Sequence, residues 1–145
     1  MLNITLEIIS ILSVGIVAGS TFYSSMVEIP VRAKTNEDEQ LKNWRLVFPK
    51  ASGLLKTFGN ITMISILATW YFTGNITWLF GAIPLFILIP FTAIFIAKTN
   101  AKIASLTNSV GVSILIKNWG KLHHVRTALA ILSFIICVFA VVLNN

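Results

Sequence analysis

Charged positions divide this chain more sharply than any other feature. No Asp, Glu, Lys or Arg occurs from Ile8 to Val27, from Thr57 to Ala97, or from Thr127 to Asn145. A helix rises 1.5 Å per residue, so about 20 apolar residues cross a hydrocarbon core of roughly 30 Å. The outer two runs each supply one crossing, and the middle run is long enough for two. The pattern predicts an all-α protein: a four-helix transmembrane bundle, up-down-up-down, in a single integral membrane domain over 1–145. The spans are read at 4–27, 55–72, 78–97 and 123–143, with loops at 28–54 and 98–122. Within the first loop, Asn36 followed by Glu39 fits a helix start, with Glu37 and Asp38 favourable in the first turn. Leu41, Trp44 and Phe48 then recur at helical spacing until Pro49, which is expected to stop the run. This reads as a short amphipathic helix lying along the membrane surface. The second loop is expected to be partly helical and broken near Asn108 to Gly111.

Composition agrees, with 56% apolar residues, 11% charged and a mean hydropathy of +0.85; soluble domains carry about 25% charged residues. The eleven basic residues against five acidic give a net charge of +6, and their placement matters more than their number. Arg32, Lys34, Lys42, Arg45, Lys50 and Lys56 lie between spans one and two or at the mouth of span two. Lys98, Lys102, Lys117, Lys121 and Arg126 occupy the corresponding region between spans three and four. The hairpin from Thr73 to Thr77 carries none. Retention of Lys and Arg in the cytoplasm then puts both long loops inside and both termini outside, as expected of a bacterial plasma-membrane protein. Basic residues lining a membrane boundary argue against nucleic-acid binding. A single cysteine, Cys137, rules out a disulfide scaffold and reads as a small apolar residue. The first segment, with no basic residue before it, is expected to be a permanent helix and not a cleaved signal. Trp70, Tyr71 and Trp78 bracket the hairpin and are expected to anchor it at headgroup level. Gly15 and Gly19 allow a close helix approach, expected inside a monomer, against span two or span four.

The residues that a membrane helix should avoid gather at the loop end. Glu28 ends span one there; Lys56 and Asn60 open span two; Thr99 and Asn100 end span three; His123 and Arg126 open span four. Trp119 precedes His123 by four and can cover it. Charges at this depth are costly and are best turned inward and paired. Glu28 with Arg126 is the preferred ion pair, with His123 as another possible partner. Lys56 competes for Glu28 or snorkels outward. One reading of the cluster is a polar plug that fixes helix packing. The other is a pocket with an acid–base histidine, a cationic anchor and an amide. No metal is expected, because His123 and His124 point about 100° apart and Glu28 with His123 supplies two ligands at most. His124 is read as a headgroup-level or packing residue. No cofactor motif occurs: there is no phosphate loop and no haem-type histidine pair.

Glu28-Ile29-Pro30 after the glycine-bearing first span, Pro90-Phe91-Thr92 in span three, Thr99-Asn100 at its end, and Trp119, His123 and Arg126-Thr127 at the opening of span four resemble the anthrone oxygenase-like family, over about Val14 to Phe134. The resemblance implies a four-span bundle whose shared residues lie at the basic mouth. It also implies oxidation of an activated aromatic, as fungal members are linked to conversion of anthrones to anthraquinones without a recognised metal or flavin. On that chemistry His123, Arg126 and Asn100 would be catalytic: His123 would remove a proton, Arg126 and Asn100 would stabilise the oxyanion, and O2 would react with the carbanion. Glu28, Lys56, Asn60, Thr99 and Trp119 would line the ligand site. The alternative is a non-enzymatic membrane module, either a lipid or quinone binder or a subunit of a larger assembly. Membrane lipids and a small hydrophobic ligand are the expected partners.

Overall fold

The computed structural model describes residues 1–143; the last two positions of the predicted domain lie outside the described residues. Four long helices account for nearly all of them: α1 (Leu2–Arg32), α2 (Glu37–Thr73), α3 (Ile76–Ala104) and α4 (Val112–Val142), each long and apolar enough to cross a membrane. No strand occurs among the described residues. The helices form a ring in which α1 packs on α2 and α4, and α3 packs on the same two. Large apolar side chains such as Leu12, Ile64, Phe80, Phe86, Leu132 and Phe139 are exposed on the outside of the ring. In water such a surface would aggregate; in a bilayer it meets acyl chains. This is an integral membrane protein.

Local chemistry explains the turns. Asn36 caps α2 as its spacing predicts, its side-chain oxygen accepting the Glu39 N–H at 2.9 Å. Gly74 ends α2 at φ +69°, a left-handed conformation that favours glycine. Asn75 then caps α3 by accepting the Thr77 N–H at 3.0 Å. The break between α3 and α4 falls at 105–111, where it is expected, and Gly111 leads into α4 at φ +77°.

Three expectations need correction. Pro49 does not stop the first loop helix: Glu37–Thr73 is one helix with Pro49 inside it. At 1.5 Å per residue, its 37 residues extend about 55 Å, well beyond a hydrocarbon core. The loop helix therefore stands as an extension of span two and does not lie flat on the surface. Its apolar face has a protein partner, for Leu41 and Trp44 are buried with Ile96, Ile103, Val112 and Ile116 of α3 and α4. That burial holds the helix through the lost backbone hydrogen bond. α1, α3 and α4 also continue as helix beyond 4–27, 78–97 and 123–143, so most of 28–54 and 98–122 is helical. Trp78 is fully buried beside Val14, Ile66, Ala82 and Cys137, so it is a core residue and not an anchor; Tyr71, 77% exposed, has the exposure of one. A Cβ on Gly15 would touch Phe134 of α4 at 3.4 Å, but Gly19 faces open space. The buried ridge of α1 is instead Ser10, Ser13, Val14, Val17, Ala18 and Thr21.

Candidate functional site

Counting about 20 residues, one hydrocarbon thickness, from the end that carries the termini and the Gly74 turn brings the helices to Phe22, Gly53, Ile96 and Leu122. The bundle opens at this level. A cavity of about 250 Å3 lies among all four helices, and its wall includes Ser24, Glu28 and Arg32 of α1, Phe48, Ser52 and Lys56 of α2, Thr92, Ile96 and Asn100 of α3, and Trp119, His123 and Arg126 of α4.

Two helices are locally rewound where they border it. Ser24–Glu28 of α1 and Thr92–Ile96 of α3 are single π-helical turns. Such turns are rare and tend to occur at functional sites. Each has a proline close by, Pro30 after the first and Pro90 before the second; proline removes a backbone donor and leaves room for an altered hydrogen-bond register. The first turn is tied to α4: Thr127 donates its hydroxyl to the Thr21 carbonyl at 2.9 Å and lies 2.7 Å from the Ser25 hydroxyl. The motifs Glu28-Ile29-Pro30 and Pro90-Phe91-Thr92 thus lie in or beside the two rewound turns.

Inside the cavity the polar groups are only partly matched. Glu28 pairs with Arg32, four residues on, and also accepts from Ser24 Oγ at 3.0 Å. This corrects the expected pairing of Glu28 with Arg126 or His123: the same-face partner one turn away on α1 takes the carboxylate first. Arg32 is 5% exposed and lies 5.8 Å from the centre of the Trp119 ring, a cation–π distance. Trp119 covers His123, ring centres 4.0 Å apart, and donates its indole N–H to Asn100 Oδ1 at 2.9 Å. With its oxygen so held, Asn100 has its amide N–H groups left to offer. Arg32 Nη1, His123 Nδ1 and Arg126 Nε are buried without any hydrogen-bond partner, and His123 is only 5% exposed. Buried polar groups are nearly always matched, so three residues of one cavity wall each carrying an unmatched buried atom mark this as the place where the bundle leaves polar groups unsatisfied.

The structure therefore brings Glu28, Lys56, Asn100, Trp119, His123 and Arg126 to one cavity and leaves two predicted residues out. Thr99 turns its hydroxyl back onto the Phe95 carbonyl at 3.3 Å, being about 100° around the helix from Asn100. Asn60, one turn deeper than Lys56, lies in a neighbouring groove between α2 and α3. His124 is exposed. Depth alone gives Arg32 only as a boundary charge; its i, i+4 spacing from Glu28 is the sequence signal that ties it to the cluster. Among the described residues no three His, Cys, Asp or Glu side chains could share a metal ion.

Beyond the cavity, polar contacts tie the end of α2 to the connection between α3 and α4. Glu37 accepts the N–H groups of Gly111 and Ser113 at 3.2 and 3.4 Å, at the start of α4, where the helix dipole favours a carboxylate. Gln40 Oε1 accepts the Ser113 hydroxyl at 3.2 Å, and Arg45 donates to the Leu106 carbonyl. The extension of α2 is thereby fastened to the connection between α3 and α4.

A family model described as anthrone oxygenase matches residues 44–136, more than half of the chain, including the α2, α3 and α4 walls of the cavity. No curated protein and no solved structure matches the chain.

Proposed function

The chain belongs to the anthrone oxygenase family, and from that premise we propose that its cavity binds a hydroxyaromatic molecule as an anion and promotes its reaction with O2 without a bound cofactor. The observation that carries this reading is an imbalance. The one acid in the wall, Glu28, is taken up by Arg32, while Arg126, Lys56 and the Asn100 amide face the same space. A site with cations left over is suited to an anion that develops during reaction.

In this scheme His123, which lines the cavity, accepts a proton from an acidic C–H or phenolic O–H. Trp119 holds the imidazole from one side. The negative charge delocalises onto the aromatic oxygen, where Arg126 and the Asn100 N–H groups stabilise it. O2 then adds to the carbanion, and the hydroperoxide loses water to leave a carbonyl. A CH2 group and one O2 give C=O and one H2O, so the reaction needs no external reductant. The role of Arg32 is to keep Glu28 from neutralising Arg126.

The reading further places the basic end in the cytoplasm, as charge retention requires. Single cysteines at Thr35 and Asn75 check this: an impermeant reagent on intact cells should label position 75 and spare position 35. Oxygen uptake by purified protein, given an anthrone or related hydroxyaromatic, tests the chemistry. His123→Ala should lower the rate by about 10²–10⁴, the usual contribution of a general base. Wild-type uptake no higher than that of His123→Ala across a panel of such compounds would favour the non-enzymatic binder instead.

A further inference from the structure

The cavity alone is small. At about 250 Å3 it falls below the roughly 300–1,000 Å3 typical of sites for drug-sized ligands, so a larger ligand must extend through an opening. Two openings share its wall. One, between α1 and α2, includes Tyr23, Val31, Thr35 and Asn43, almost wholly on the loop side of the level marked by Phe22 and Gly53. The other, of about 430 Å3, lies between α2 and α3 and shares Leu55, Lys56, Thr92, Ala97 and Arg126 with the cavity. This groove runs the opposite way, from Ala97 to Leu85 on α3 and from Lys56 to Met63 on α2. Twelve helical steps along α3 make it about 18 Å long, at the depth of acyl chains. Its far wall is apolar (Val17, Met63, Leu85, Leu88 and Ile89), and its cavity end carries Lys56, Asn60 and Arg126 with no acidic residue.

Resting on the function proposed above, we infer that the substrate is an amphiphile: a hydroxyaromatic head carrying a linear apolar tail, with the head in the cavity and the tail in the α2–α3 groove. Charge and depth both select this occupant. The unmatched Arg126 Nε sits on a side chain common to both spaces, so an anionic head at Arg126 directs any tail attached to it into the groove. A molecule held this way enters from the bilayer sideways and need not pass through water.

The test compares an anthrone with the same anthrone bearing a decyl chain, on the intact protein in detergent. Gly59→Phe fills the groove, since a Cβ at Gly59 meets nothing within 4 Å, and it replaces a poor helix former. Gly59 does not line the cavity. Micelle partition enriches the tailed compound equally for both proteins, so the ratio of their affinities is the reading. Gly59→Phe should weaken the decyl compound by about tenfold or more, as loss of even two buried CH2 groups would, and leave the untailed compound within roughly twofold. Ala93→Phe, on the opposite wall, should do the same; agreement between the two variants separates a filled groove from a damaged fold. If both compounds bind wild type and both variants alike, bulk lipid fills the groove and the inference is wrong. If neither compound binds wild type, the proposed function itself falls and the inference with it.

Discussion

The two ends of this bundle treat polar groups in opposite ways. Toward the termini, Ser10 of α1 meets Thr69 of α2 at 2.9 Å, Ser133 of α4 donates to the Gly81 carbonyl at 2.7 Å, and Asn75 donates to the Ala140 carbonyl at 3.1 Å. Small residues bring the helices close there, as is usual for membrane bundles; the indole N–H of the buried Trp78 is the unmatched atom. At the basic end the helices part around a cavity, two of them are rewound, and Arg32, His123 and Arg126 each keep an unmatched polar atom. One end is built to pack, and the other withholds packing from groups that are expensive to bury. Where natural proteins leave local rules unsatisfied, function is the usual reason.

Substitutions at each end put this contrast to the test. The largest effect on stability is expected from Glu28→Ala, which leaves Arg32 buried without its partner. Removing one member of a fully buried pair costs about 3–5 kcal/mol; the cost here should be smaller, since the Glu28 side chain is 23% exposed against 4% for Arg32. Thermal unfolding in detergent measures it, and Glu28→Ala combined with Arg32→Met should recover much of the loss. At the packed end, a Cβ on Gly81 would lie 2.6 Å from Cys137 Sγ. Gly81→Ala should therefore cost about 1–3 kcal/mol by overpacking, and Cys137→Ala should relieve it. Smallest is Ser133→Ala, about 0.6 kcal/mol, the mean worth of an interhelical side-chain hydrogen bond in a membrane. Neither packed-end substitution should alter oxygen uptake. A loss of uptake in Ser133→Ala with its fold intact would mean that the two ends are not separate in function.

What the sequence disclosed follows from the range of each interaction. Spans and the basic end were legible because desolvation of charge acts on each residue separately. The Asn36 cap was legible because it closes within three residues. Pro49 misled because its local penalty is outweighed by burial of Leu41 and Trp44 against α3 and α4, contacts made far along the chain. The convergence of Glu28, Lys56, Asn100, Trp119, His123 and Arg126 could be read from depth alone. Which of them pair could not: Glu28 turns to Arg32, and Asn100 faces the cavity while Thr99 does not. That depends on helix phase, which a π turn shifts. Trp78 fails as an anchor for the same reason, since depth gives its level but not the side of the helix it occupies.

Arg126→Met offers the most direct test of the claim that the basic end keeps polar groups for a ligand and not for packing. Methionine keeps much of the side-chain volume and removes a guanidinium that has no ion-pair partner among the described residues. Thermal midpoint and binding of an anthrone anion should be measured on the same preparation. The midpoint should be unchanged or higher, since replacing a buried charge by an apolar group is often neutral or stabilising, while binding should weaken by about tenfold or more, as for a lost charge-assisted hydrogen bond. A midpoint lowered by several degrees with binding unchanged would contradict that claim, and would make the cluster a structural plug.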